Sequence, residues 1–228
     1  MRSRSTIRTT SLKLHILSRL SVHPVLKSLL NAVFTLLTLP LVAVYRVESV
    51  LLGVDRIFPG WSQFVSLIPG LYGVYIRRAF YRFTLDACGA NATIGFGSLF
   101  SHPTARLGAN VYVGNYCMLG GVTIEDDCLI ASHVSILNGL DQHRFDRLDI
   151  PIREQPGEFA PITIGRDSWI GERAVIAANV GPQCVVGAGS VVTKDLPPRA
   201  IAVGTPARVV KRRGEPVIDV APPSAALE

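Results

Sequence analysis

The chain has 228 residues, of which 48% are hydrophobic, 18% charged and 7% aromatic, with 23 Lys or Arg against 17 Asp or Glu. Charged residues fall below the roughly 25% usual for soluble domains and the mean hydropathy is positive, so disorder over most of the length is excluded. The positive surplus is local: residues 1–90 hold 11 basic and 3 acidic side chains (net +8), residues 91–228 hold 12 and 14 (net −2). A basic, apolar first part suits an anionic membrane surface. Nucleic acid is disfavoured, because the cations are not interleaved with stacking aromatics and match no binding motif.

Residues 1–11 are basic and rich in Ser and Thr and read as a frayed start. From Ser28 to Tyr45 run 18 residues without a charge, SLLNAVFTLLTLPLVAVY, the lower edge of a bilayer span. Pro40 and the polar Asn31, Thr35 and Thr38 weaken that span, and no small-residue cleavage site follows cleanly, which disfavours a signal peptide. A second uncharged stretch, Ile57 to Ile76, carries Pro59, Gly60, Pro69, Gly70 and Gly73, which argue against one continuous helix. The expectation for residues 1–90 is one or two apolar helices lying in or shallowly entering the cytoplasmic leaflet of the inner membrane. Arg19 and Lys27 flank them on one side and Arg77, Arg78 and Arg82 on the other. The alternative is a helical subdomain packed on the core.

Beyond residue 91 an aliphatic residue, often followed by a small one as in Val113-Gly114 and Ile170-Gly171, recurs with a dominant spacing of six: 107, 113, 119, then 124, 130, 136, then 164, 170, 176, then 180, 186, 192. Neither a 3.6-residue helix nor simple alternation produces this period. One short strand and its corner per six residues, three such units per coil, is a parallel β-helix with a Gly or Ala where the chain turns tightly. Within a domain of residues 91–213, residues 92–206, less an excursion after 140, supply about five coils. The N-terminal helices can cap one end, and Pro197, Pro198 and Ala207 to Arg213 the other; residues 214–228 read as a flexible tail. Cys88, Cys117, Cys128 and Cys184 lack a CxxC or a tight framework and read as reduced, buried thiols. The sequon Asn91-Ala92-Thr93 is a weak match with nothing else pointing to secretion.

The segment Ile164 to Val210, with IGRDSWIG, VGAGSVVTKD and GTPARVV as its specific pieces, resembles the end of hexapeptide-repeat acyltransferases, the group of maltose, serine and polysaccharide O-acetyltransferases. The resemblance covers about residues 92–213. It implies the fold class expected here, mainly β, a left-handed parallel β-helix with an apolar N-terminal helical segment. It also implies a homotrimer with active sites between subunits and acetyl-CoA as co-substrate, without a metal. One departure is visible, since IAANVG is two residues shorter than the usual hexads there.

Acyl transfer from a thioester to a hydroxyl needs a base, oxyanion donors and alignment. Histidine suits the base role. His15 and His23 lie in the basic start and His102 and His133 in repeats, whereas His143 opens the excursion SILNGLDQHRFDRLDIPIREQPGEFAPI. A structureless loop of about twenty residues in a compact repeat is more often functional than decorative. Similar enzymes carry the catalytic histidine at the start of such a loop. His143 is the candidate base, Asp141 or Asp146 its orienting acid, and Asn138 a partner for acceptor or oxyanion, or else an Asx corner. Gly187, Ala188, Gly189 and Ser190 match the hexad whose backbone lines the pantetheine arm. Thr193, Lys194, Arg208 and Lys211 match CoA contacts, the cations being apt for phosphate. Trp169 and Arg144 are candidate acceptor contacts, Trp169 equally a residue packing on a neighbouring subunit.

No GxSxG, HExxH, P-loop or strand-bound GxGxxG occurs. A zinc-dependent γ-type carbonic anhydrase on the same fold would need three histidine ligands, and His102, His133 and His143 lack the close pair expected there. The functional expectation is O-acetylation of a sugar hydroxyl, in cell-surface polysaccharide biosynthesis. The alternatives are a small non-glycan acceptor (amino acid, xenobiotic or sugar amine) and a non-catalytic β-helix scaffold.

Overall fold

A computed structural model describes residues 24–215. The frayed start, Arg19, His15, His23 and residues 216–228 of the tail lie outside the described residues. Three helices, α1 (Pro24–Leu52), α2 (Val54–Ser66) and α3 (Gly70–Thr84), precede a coil of short strands that begins at Ala87–Cys88.

The strands stack into three parallel faces. The first holds Ala87–Cys88, Arg106–Leu107, Val122–Ile124 and Ile162–Ile164. The second holds Thr93–Ile94, Tyr112–Val113, Leu129–Ile130, Trp169–Ile170, Val185–Val186 and Ala200–Val203. The third holds Leu99–Phe100, Met118–Leu119, Ser135–Ile136, Val175–Ile176 and Val191–Val192. Register puts like on like: Ile94, Val113, Ile130, Ile170, Val186 and Ala202 form one buried ladder. The six-residue period is this inward ladder, and each aliphatic side chain is buried by the coils above and below it. Five coils are complete, and a sixth starts at Leu196, which bridges to Val180.

The corners show what the small residues are for. Three residues after the inward residue, the corners leaving the first and second faces carry a left-handed residue, Asn110, Tyr116, Asp127, His133, Asp167, Arg173, Gln183 and Arg199 among them, all with φ near +60°. The tight turn is therefore made mostly by non-glycine residues. The Gly directly after the inward residue serves another purpose, the close approach of the next coil. A Cβ on Gly114 would lie 2.6 Å from the Ser132 nitrogen, and one on Gly171 2.5 Å from that of Ala188. Gly114→Val is expected to destabilise the protein by about 3 kcal/mol through overpacking against backbone, read as a lower urea midpoint. The corner between the third and first faces lacks this regularity. The short steps, Leu119 to Ile124, Ile176 to Val180 and Val192 to Leu196, fall there, as does the long excursion.

The helices cap the first coil, whose edge would otherwise leave strand groups unpaired. The Ser62 hydroxyl accepts from the Phe100 N–H (2.9 Å) and pairs with the Tyr81 hydroxyl (2.8 Å), and the Ser66 carbonyl accepts from Gly97 (2.9 Å). Arg77 donates from Nε to the Ile94 carbonyl (2.8 Å) and from Nη1 to that of Ile68 (2.7 Å). This corrects the expected flank of cations at a membrane: Arg77 and Arg78 are 1% and 8% exposed, and burial lowers the pKa of both guanidinium groups. Arg78 lies over the Tyr75 ring at 4.8 Å. Helix count also differs from expectation. The stretch 57–76 breaks at Leu67–Pro69 as its Pro-Gly pair suggests, but Pro59 lies within α2 and Pro40 within an uninterrupted α1. Both prolines sit in helices held by tertiary packing, which overrides their local preference.

At the far end Gly204 to Ala207 lies over Val191, and Arg208–Arg212 returns antiparallel along Ala200–Val203. The four cysteines are free, and burial pushes the Cys88 and Cys128 thiols up to about 11.

Candidate functional site

The excursion leaves the third face after Ile136 and rejoins the first at Ile162. It is ordered, contrary to the structureless loop expected, because its two limbs bond to each other. Ala160 donates to the Asn138 carbonyl (3.1 Å), Glu158 to that of Asp141 (2.7 Å), and Arg144 to that of Pro156 (3.2 Å). At the tip, Gln155 is buried; its Oε1 accepts from the Arg147 N–H (3.2 Å) and its Nε2 donates to the Arg147 carbonyl (2.7 Å). A short 3₁₀ turn, Ile152–Glu154, sets up that reversal. Phe159 folds back along the corner to stack edge-on against His102, with ring centroids 6.4 Å apart. Gln155 and Phe159 were not singled out in the sequence, since neither carries chemistry of its own; both shape the loop.

Between the limbs lies a cavity of about 410 Å³ lined by Asp141, His143, Arg144, Phe145, Asp146 and Glu158. His143, Asp141, Asp146 and Arg144 are thus brought together as the sequence suggests. The imidazole makes no hydrogen bond to either Asp among the described residues, so both remain candidates for its orientation. Arg144 Nη2 lies 3.8 Å from Glu158 Oε1, an exposed pair worth little to stability.

Asn138 stands at the loop's root and is buried. Its Oδ1 accepts from the Gly121 N–H, so the amide oxygen is spent on holding the corner and only the Nδ2 donor is left for a ligand.

Thr193 and Lys194 follow the third face two coils further along the same corner as the excursion, roughly 10 Å along the axis at the ~4.8 Å coil spacing. Gly187, Ala188 and Gly189 form the neighbouring corner. Gly189 has φ +67° and open space where a Cβ would stand, and Ser190 is buried with its hydroxyl accepting from Gly204 (3.1 Å), so that side chain braces the cap. Arg208 and Lys211 are exposed on the capping strand.

Trp169 stands apart from the other candidates. It projects from the second face, 53% exposed, beside Leu129, Val185 and an Arg213–Asp167 pair at 3.0 Å. His143 leaves from the opposite corner, so within one chain Trp169 does not border the His143 cavity. The candidate zinc histidines are also dispersed: His133 stacks on Tyr116 at 5.3 Å on one corner, His102 and His143 lie on another. Among the described residues no three His, Cys, Asp or Glu side chains group as metal ligands do.

Known proteins match this fold and this stretch of sequence. Two family descriptions match, "Bacterial transferase hexapeptide (six repeats)" over residues 104–138 and "Hexapeptide repeat of succinyl-transferase" over residues 161–194. The galactoside O-acetyltransferase of Escherichia coli (strain K12) is 34% identical over 143 residues, 59% of this chain and 68% of that protein. A Mycobacterium tuberculosis protein named as a probable acetyltransferase is 34% identical over 119 residues, 38% of its own length. Among solved structures, a galactoside acetyltransferase in complex with coenzyme A superposes with a TM-score of 0.60 at 28% identity, over 69% of this chain and 80% of that one. A maltose O-acetyltransferase of Clostridium difficile 630 shares the fold (TM-score 0.61, 23% identity, 71% and 89% covered). A stacked six-residue ladder with an excursion rooted at its irregular corner, together with these likenesses, shows that the chain belongs to the hexapeptide-repeat acetyltransferase family, and the left hand of its β-helix comes with that membership.

Proposed function

We propose that the protein moves the acetyl group of acetyl-CoA to a sugar hydroxyl, in the building of a cell-surface polysaccharide. The observation that carries this reading is the placement of the His143 cavity and of Thr193 and Lys194 on one corner of the β-helix, in a chain similar to a galactoside O-acetyltransferase. Acetyl-CoA supplies an activated acyl carbon. His143 accepts the proton of the acceptor hydroxyl as its oxygen attacks that carbon. The Asn138 Nδ2, oriented by the bond its Oδ1 makes to Gly121, donates to the developing oxyanion or to the acceptor. Collapse expels the CoA thiolate, to which the imidazolium returns the proton, with no acyl-enzyme. Asp141, Asp146, Arg144 and Glu158 offer the donors and acceptors that a polyhydroxylated substrate needs.

On the donor side, the open space at Gly189 suits a flexible pantetheine arm, and exposed Lys194, Arg208 and Lys211 suit phosphates. The trimer implied by the family is supported by the outer surfaces. The second and third faces present Tyr112, Leu129, Trp169 and Met118 outward, each 45–58% exposed, whereas the first presents Arg106, Thr123 and Thr163. Apolar outer faces favour contact with neighbouring copies, which would set Trp169 against a partner subunit.

The test is thiol release from acetyl-CoA with a panel of galactosides, maltose and cell-surface glycans. Acceptor-dependent release with sugars is expected; release only with amines or amino acids would overturn the sugar reading. Lys194→Ala is expected to raise the KM for acetyl-CoA about tenfold with kcat little changed, as loss of one charge-assisted phosphate contact does.

A further inference from the structure

The outermost layer of the molecule is α1. It packs on α3 and α2, which in turn lie on the first coil. Its inner stripe is buried or half-buried: Phe34 stacks on Tyr75 with centroids 5.1 Å apart, and Tyr45 meets Phe80 at 5.6 Å. The opposite stripe runs through Val25, Leu29, Val33, Leu36, Val47 and Leu51, all 43–73% exposed, with Ala32, Pro40 and Ala43 between them. It extends about 39 Å, seven helical turns, without one polar residue. A helix on a soluble surface presents polar groups there, so this stripe needs a cover.

We infer that α1 lies in the plane of an anionic lipid bilayer, its outer stripe sunk to the level of the acyl chains. Charge names the occupant. Residues 1–90 carry a net +8, of which the buried Arg77 and Arg78 supply two; five of the other cations precede α1 in sequence, and Arg46, Arg56 and Arg82 are exposed on the helical layer. That suits acidic headgroups and repels a second copy of the same surface. Exposed Leu67, on the segment joining α2 to α3, and Leu71 and Tyr72, in the first turn of α3, add to the apolar rim.

Packing decides between lying in the membrane and crossing it. The helix is long and apolar enough to span, 28 residues with an 18-residue window of mean hydropathy 1.8. Yet α3 runs alongside it from Phe34 to Arg46, where Arg46 donates to the Phe83 carbonyl, and Glu48 accepts from the Trp61 indole of α2 (2.7 Å). Crossing would drag Arg56, Arg78 and Arg82 into hydrocarbon or strip α1 from its partners, whereas lying flat immerses only the stripe that has none. This arrangement would hold the β-helix at the membrane surface, and it stands or falls apart from the identity of the acceptor.

The experiment is flotation of the full chain with vesicles of phosphatidylcholine and phosphatidylglycerol, beside the double variant Leu36→Glu/Val47→Glu. The full chain is expected to float, less so in high salt. The variant is expected to partition about 100-fold more weakly, with unchanged thermal midpoint and gel-filtration size. Failure of the full chain to float overturns the proposal, as does equal flotation of the variant. A variant that elutes as a smaller species than the full chain also overturns it, and gives the stripe to a second copy. For orientation, tryptophan placed singly at Leu29, Leu36 and Val47 is expected to be quenched to the same shallow depth by brominated lipids; a deep maximum at Leu36 with shallow ends would mean a crossing helix and overturn the in-plane arrangement. Turnover with a soluble acceptor is read separately, so loss of activity and loss of lipid binding are told apart.

Discussion

Replacing His143 with alanine is expected to lower kcat for acceptor-dependent acetyl transfer by about 10³-fold while leaving the KM for acetyl-CoA within about twofold. The split follows from placement. His143 lines the cavity between the limbs of the excursion, while the residues suited to CoA lie on later coils and on the capping strand. Removing the imidazole takes away the proton acceptor without disturbing the donor's contacts, and the loop's ladder runs through backbone groups and Gln155, none of which the substitution touches. Thiol release at saturating acetyl-CoA and acceptor measures it. Undiminished kcat would assign the base elsewhere, with His102, across the same corner beside Phe159, the first alternative to examine.

The second large effect is on stability. Arg77→Met is expected to cost about 3 kcal/mol, read as a lower urea midpoint with the slope of the transition retained. Methionine matches much of the buried volume but donates nothing. The carbonyls of Ser66 and Ile68 at the end of α2 lose the guanidinium, and so does that of Ile94 in the first coil. Four backbone carbonyls from two layers, that of Val65 included, depend on one side chain. The His143 corner is remote from this junction, so the kcat of the folded variant should match the parent; a variant as stable as the parent would show that the capping contacts contribute little.

Much of the β-helix was legible in the chain because its physics repeats. Each coil needs one inward apolar residue per face, followed in most places by a residue without bulk, and that demand recurs in six-residue runs between Ile94 and Ala202. Even two of the short steps were visible as spacings. The purpose of the glycines was not, since the clash they avoid is with the next coil, some sixteen to nineteen residues away, as between Gly114 and Ser132 or Gly171 and Ala188. Among the site residues, His143, Arg144 and the aspartates were marked by chemistry and by their place in the excursion. Trp169 was marked by chemistry alone and lies on another face, and Ser190 proved to be a brace for the cap.

By itself the sequence determined the solenoid, its five full coils and the family, because a short-period pattern states its own contacts: neighbouring coils are the only partners, and register is set by the repeat. Tertiary structure alone decided the rest. It buried Arg77 and Arg78, which charge counting had assigned to a membrane surface, because long side chains reach carbonyls far away in sequence. It ordered the excursion through bonds between limbs that no period predicts. It also turned one side of α1 inward and left the other bare, a division that its packing partners make.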